Sequence, residues 1–387
     1  MHVHHVAGMS RKHLGLFTAN GITGVRQMFG SRELLDCRKS VVAGSLLGPR
    51  MIVGSPIVDG PTPFWPGSIS VSTAAQGREA VRTVREQGYD FVKVYFGLPR
   101  EAYFAIADEA KKRGLPFVGH VPDSVGALAA SNAGQKSIEH LDGLQLACSS
   151  SETELSRQMR EAFQDPKTPD VPLFGRALVK AGETYDRQKA AALFATFVKN
   201  GTWQVPTLTV ERWQSLLDSK EFVNDQRRKY LPAEVNEFWE KRTKEFLAIR
   251  TDEATAGVRK VFEKELDLVR AMHRAGVQFL AGTDSPNPYC FPGFSLHDEL
   301  ELLVHAGFTP LEALQAATRN PAVFLGKIED FGTVERNKIA DLVLLDANPL
   351  DDIRNTRKIA AVVVGGKLLS KESLQKMLDE IEVLEKK

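Results

Sequence analysis

The sequence predicts an α/β protein, a (β/α)8 barrel of the TIM type followed by a small β module. Three observations carry that prediction. Short apolar runs alternate with amphipathic helical stretches, the pattern of a parallel sheet assembled from βα units. Eight such runs can be counted, the number a (β/α)8 barrel needs. Glycines at 88, 114, 134, 201 and 276 each stand where a helix would end in a left-handed turn before the next strand.

The expected strands are His2 to His5, Gly24 to Phe29, Arg50 to Ile57, Phe91 to Phe96, Phe117 to Val121, Ser137 to Leu141, Trp203 to Val210 and Gln278 to Gly282. Helices follow most of them, as at 100–113, where Ala102, Ile106, Ala107 and Ala110 recur at helical spacing. Two charged, helix-patterned insertions, 145–184 and 211–260, interrupt the repeat after the sixth and seventh strands, on the face where barrel loops line a site. The barrel is expected over 1–326. Residues 327–370 carry alternating strand signals, including Ile359-Ala-Ala-Val-Val-Val, and 371–387 read as a charged amphipathic helix.

Composition narrows the function. With 387 residues the chain has ample length for a large core, and 43% hydrophobic with 26% charged residues excludes disorder or coiled coil as its main organisation. The net charge of +1 offers no basic footprint for nucleic acid. Apolar runs such as Ile359 to Val364 fall far short of the roughly 18 residues needed to cross a bilayer, so no membrane partner is expected. Cys37, Cys148 and Cys290 are too few and too scattered for a disulfide framework or a cysteine metal cluster. The opening Met1-His-Val-His-His shows no signal pattern and starts inside the first strand, which leaves the compartment open and reads as an N-terminally incomplete product.

Chemistry concentrates at strand ends. His2 and His4 are two apart, so in a strand both imidazoles face one side and can reach one metal. His120 closes Phe117-Val-Gly-His, His140 closes Ser137-Ile-Glu-His, and Asp284 closes Leu280-Ala-Gly-Thr-Asp. Each polar residue terminates an apolar run, where a barrel places catalytic groups. Any one of them could be a satisfied histidine or a turn, but their recurrence at several strand ends favours a site. Lys93, inside Asp90-Phe-Val-Lys-Val-Tyr-Phe, is either an edge-strand lysine snorkelling to water or a buried amine that takes up carbon dioxide as a carbamate.

This constellation resembles the amidohydrolase superfamily of metal-dependent hydrolases, in its imidazolonepropionase-like and prolidase-like branch, from His2 to about Leu369. By that resemblance His2, His4 and Asp284 hold one divalent ion, His120 and His140 a second, and carboxylated Lys93 bridges the pair, with zinc the leading candidate. The two ions would bring a shared water toward hydroxide near neutral pH, and Asp284 would accept its proton and pass it to the leaving nitrogen. The stretch Gly332-Thr-Val-Glu-Arg-Asn-Lys-Ile-Ala-Asp-Leu-Val-Leu-Leu-Asp looks like the family's return into a β-sandwich, whose N-terminal half is missing here. Asn337 stands where the family usually has glycine, and asparagine tolerates the left-handed conformation. Asp123 replaces the glutamate usual in the deaminase branch and weakens that reading.

The implied substrate is a small molecule, a small peptide or N-acyl amino acid cleaved at its amide C–N bond. Two alternatives stand beside it: a mononuclear hydrolase of a cyclic, imidazolone-type amide, and a truncated inactive fragment. A homo-oligomer is left open. Tyr95, on the face of Lys93, and His297, at the start of the helix after the eighth strand, are substrate-binding candidates. His5 faces away from the pair His2 and His4, while His13, His273 and His305 are expected at the surface. The loop Pro63-Phe-Trp-Pro could wall a pocket, though simple packing is the plainer reading.

Overall fold

A computed structural model describes residues 2–4, 9–162, 170–217, 219, 222 and 224–386. His5 lies outside them. The chain is α/β and divides into two compact units: 1–53, 207–249 and 280–387 form the first, and 54–206 with 250–279 form the second.

In chain order the strands are β1 (His2–Val3), β2 (Gly24–Gln27), β3 (Arg50–Val53), β4 (Val58–Asp59), β5 (Ile69–Ser70), β6 (Val92–Val94), β7 (Phe117–Gly119), β8 (Ser137–Glu139), β9 (Trp203–Val205), β10 (Leu342–Leu345), β11 (Ile359–Val364) and β12 (Lys367–Ser370). The first unit holds a parallel sheet β1-β2-β3, in register His2 with Arg26 and Gly24 with Arg50, and an antiparallel sheet β10-β11-β12. Its C-terminal helix, Lys371–Glu385, buries Leu374 against Val362 and Val364. The expected strand signals of 332–369 and the terminal helix are therefore present.

The second unit holds a six-stranded parallel sheet ordered β5-β4-β6-β7-β8-β9. From β6 to β9, sequential strands are spatial neighbours with helices between them, as βα units dictate. Gly201 ends the helix Arg187–Asn200 at φ 64°, ψ 36°, the left-handed stop that lets the chain turn into β9.

Three strand expectations need correction. The run from Arg50 to Ile57 is not one strand: β3 ends at Val53, and β4 and β5, which the apolar pattern did not show, follow separately. Pro56 removes a ladder donor at that break. The seventh strand stops at Val205, because Pro206 and a left-handed Thr207 (φ 48°) turn the chain into the helix Leu208–Ser215. The eighth expected strand, Gln278 to Gly282, is only an isolated bridge from Phe279 to Gln204, and beyond it the Ala281 amide donates to Ala316.

Among the described residues the insertions are largely helical, as their charge pattern suggested. In the second unit the helices Glu152–Ala162 and Val171–Glu183 bury Leu155, Met159, Ala177 and Ala181 together. In the first, the helix Ala233–Ile249 contributes Trp239 to a cluster with Trp213, Tyr289 and Phe291, and its indole Nε1 donates to the Pro286 carbonyl at 3.0 Å. That insertion buttresses the segment following Asp284.

Candidate functional site

The first cluster lies within the first unit. Strand β1 is pinned to the 283–285 segment: the Thr283 and Asp284 amides donate to the His2 carbonyl at 3.1 and 3.0 Å, and the His4 amide donates to the Ser285 carbonyl at 2.7 Å. Alternation along β1 then turns both imidazoles to one side. His2 Nε2 and His4 Nε2 lie 3.4 Å apart, and Asp284 Oδ1 is 2.8 Å from the first and 2.7 Å from the second. Asp284 is held at φ 51°, a left-handed conformation aspartate tolerates, and its Oδ2 accepts from Asn287 Nδ2 at 2.6 Å. His2 is fully buried, while Asp284 keeps a small exposed edge.

Two carboxyls stand near this cluster, half-buried Glu211 and fully buried Glu299, and neither carried a recognisable sequence signal. Removal from water, with repulsion by Asp284, pushes the Glu211 carboxyl up to about 7. Burial pushes Glu299 up to about 8 against the opposing pull of hydrogen bonds from Thr209 and Leu208. Glu299 Oε2 accepts from the Thr209 amide at 2.9 Å, and Thr209 Oγ1 donates to the Thr283 carbonyl at 3.3 Å, so this carboxyl braces the turn leading to Asp284. Glu211 sits four residues into the helix Leu208–Ser215, a region that read as strand and charged insertion.

The second cluster lies within the second unit. Lys93 is buried at the middle of β6, an interior strand paired with β4 and β7, so the edge-strand snorkelling alternative is overturned. Its amide donates to Ser55 Oγ at 3.0 Å. Gly119, at φ 134°, makes space beside it: a Cβ there would stand 2.2 Å from the Val94 carbonyl oxygen and 3.1 Å from Lys93 Cδ. His120 and His140, on the residues just past β7 and β8, bring their ring centroids to 4.7 Å. Asp142 Oδ2 lies 3.6 Å from His120 Nε2, a neighbour the sequence reading did not single out.

Tyr95 packs its ring 4.1 Å from that of His120, and its hydroxyl accepts from Trp65 Nε1 at 3.0 Å. His297 is buried in the first unit with Nδ1 3.0 Å from Thr356 Oγ1; burial, reinforced by Arg357, lowers its pKa to about 4. His13 corrects the surface expectation: it is fully buried, with Nε2 3.1 Å from Glu385 on the C-terminal helix. His273 is half-buried and His305 exposed. Asn337 adopts φ 67°, the left-handed conformation expected where the resembling family has glycine.

The chain matches the protein-family model of the amidohydrolase family over residues 4–369. The chain belongs to the amidohydrolase family. It is 38% identical over 120 residues to the imidazolonepropionase of Shouchella clausii (strain KSM-K16), an alignment covering 28% of the chain and 26% of that relative. The chain thus spans about a quarter of the length of that curated relative. A solved bottromycin amidohydrolase superposes with a TM-score of 0.80 at 25% identity, covering 99% of this chain and 78% of the other. A Xaa-Pro dipeptidase solved with bound methionine shares the fold, with a TM-score of 0.64 at 20% identity over 96% of this chain and 85% of that one. The family model and the bottromycin amidohydrolase neighbour imply a TIM-type barrel. Among the described residues no helix is long and apolar enough to cross a membrane.

Proposed function

We propose that this amidohydrolase is a metal-dependent hydrolase of an amide or peptide C–N bond in a small peptide or N-acyl amino acid. The observation that carries the reading is the convergence of His2, His4 and Asp284, whose ligand atoms all lie within 4.8 Å of one another. Two neutral imidazoles and a carboxylate are a donor set that suits zinc and its neighbours among divalent ions. The chemistry such an ion supplies when bound is Lewis acidity toward water and toward the scissile carbonyl.

The chain's own groups do the remainder. Asp284 is the proton carrier, accepting a proton from the attacking water and releasing it to the leaving nitrogen. Asn287 orients the carboxylate by donating to Oδ2, and leaves Oδ1 directed at the two imidazoles. In the second unit, His120, His140 and Lys93 would hold a further ion, with Asp142 positioned to orient the His120 ring. There Lys93 acts as a carbamate: its neutral amine forms an N–C bond to carbon dioxide and gives up a proton to solvent, which replaces a costly buried ammonium with a ligating anion. The TIM-type barrel over 1–326, a sandwich portion at 327–370 and a closing helix at 371–387 belong to the same reading.

A second reading, a mononuclear hydrolase of a cyclic amide, is favoured by one observation. His2, His4 and Asp284 are the group of histidine and acid side chains found among the described residues to converge as a metal site. Elemental analysis of metal-loaded protein decides: close to two divalent ions per chain, most of them lost in Lys93→Ala, is the expected result. Two ions and full amide hydrolysis retained in Lys93→Ala would end the carbamate assignment, and no turnover of any linear amide by loaded protein would end the amide assignment.

A further inference from the structure

The rings of Phe64, Trp65, Tyr95 and Phe96 form a continuous aromatic surface that ends on His120. Phe64 meets Trp65 edge-on at 5.0 Å and Phe96 at 5.8 Å, Phe96 packs on Tyr95 at 4.6 Å, and both Tyr95 and Phe96 neighbour the His120 ring, at 4.1 and 6.4 Å. Three of these rings face solvent: Phe64 is 46% exposed, Phe96 42% and Trp65 37%. A loop that only packed would bury its aromatics, because wet contiguous apolar surface is unfavourable and marks a contact site.

The surface is also built in advance of any ligand. Asp59, fully buried at the end of β4, accepts at Oδ1 from the amides of Gly60 and Gly97 and at Oδ2 from the amide of Phe64. One carboxylate therefore ties the Phe64–Trp65 loop to the turn after Phe96. Glycine is required at both tie points, since a Cβ on Gly60 would stand 2.0 Å from the Gly97 carbonyl oxygen, and one on Gly97 would stand 2.7 Å from Asp59 Oδ1. Trp65 spends its indole N–H on the Tyr95 hydroxyl. What the surface presents is ring faces and edges, which recognise apolar and aromatic groups by area and by edge-to-face contact.

We infer that Phe64 and Phe96 determine specificity, seating an aryl or bulky apolar substituent of the amide substrate beside His120 while Trp65 and Asp59 hold them in place. The inference rests on the proposed amide hydrolysis and narrows its substrate class. Preorganisation matters here, because rings already fixed lose little freedom when the substituent docks.

The test uses two parallel amide series with metal-loaded protein, one varying the acyl side and one the amine side, each comparing a phenyl group with methyl. In one series kcat/KM is expected to favour phenyl by at least about tenfold, the scale of discrimination a hydrophobic subsite supports. In Phe64→Ala/Phe96→Ala the phenyl-to-methyl ratio of kcat/KM should shrink to within about threefold, a ratio that a general loss of activity would leave unchanged. Phe64→Leu/Phe96→Leu, which keeps apolar bulk without rings, should retain part of the preference. Calorimetric binding of N-acetylphenylalanine and N-acetylalanine to the unmodified chain and the double variant gives a readout independent of turnover. Hydrolysis with equal preference for phenyl and methyl in both series, or a preference that survives the double alanine variant, overturns the inference and leaves the amide reading intact. Selective binding of N-acetylphenylalanine lost in the double variant, with no amide turned over, sustains the aromatic seat and overturns the amide reading instead.

Discussion

Asp284 Oδ1 lies 2.7 Å from His4 Nε2, although 280 positions separate the two residues, because the His4 amide is hydrogen-bonded to the carbonyl of Ser285. The contact ties the proposed proton carrier to a proposed ligand through one backbone bond. Asp284→Asn keeps the shape and the neutral hydrogen bonding but removes the base. Turnover is expected to fall at least about 100-fold, the lower end of what general acid–base groups contribute, with melting little changed. A variant that kept more than a tenth of wild-type turnover on the best amide substrate would show that Asp284 does not carry the proton.

Gly119 tests the space around Lys93. Gly119→Ala places a Cβ 2.2 Å from the Val94 carbonyl at a φ of 134°, so β7 must shift or strain, at a cost of about 1–3 kcal/mol. Urea unfolding should show that loss, and metal content should fall with it as Lys93 is displaced. Stability within about 0.5 kcal/mol of wild type would mean that the strand pair is looser than the close approach implies.

Reconstitution separates the dinuclear and mononuclear readings. Protein stripped of metal and carbon dioxide, then given zinc alone, should recover activity slowly, and added bicarbonate should accelerate and raise the recovery. Indifference to bicarbonate would favour the mononuclear hydrolase, with Lys93 as a packing residue.

Glu299 makes stability pH-dependent with a definite sign. Its folded pKa is raised to about 8 by burial, above the usual glutamate value, so the folded state binds the extra proton through the intervening range. The associated stability is fully present below about pH 4.5 and is lost as pH rises toward 8. Glu299→Gln, permanently neutral, should flatten that dependence: between pH 5 and 8 the wild-type Tm should drop by at least about 2 °C more than that of the variant. Parallel melting curves across this range would show that Glu299 titrates normally.

Much of this was legible in the sequence for local reasons. Alternating apolar runs located most of the strands, and the i, i+2 spacing of His2 and His4 placed both imidazoles on one face before any partner was known. The left-handed Asn337 was implied only by the family resemblance, which puts glycine at that position. Strand boundaries were less legible. The apolar character of 203–210 continues past Pro206, yet the chain turns helical there, and the 278–282 run has strand composition but only one bridging residue.

What the sequence by itself determined is the set of chemically capable residues and the local periodicity that puts each at the end of an apolar run, since both depend only on neighbours in the chain. Tertiary structure alone decided which of them meet. Asp59 followed a short apolar run with no local signature, and it became a clamp only because folding brought Gly97, 38 residues later, onto its carboxylate. Lys93 could have been an edge lysine until β4 and β7 closed on either side of β6. Phe64 and Trp65 could have been core until the loop turned them outward. In each case the deciding interaction spans a long separation in the chain, whose closure is favourable only when many such contacts form together, and no window of neighbouring residues records that sum.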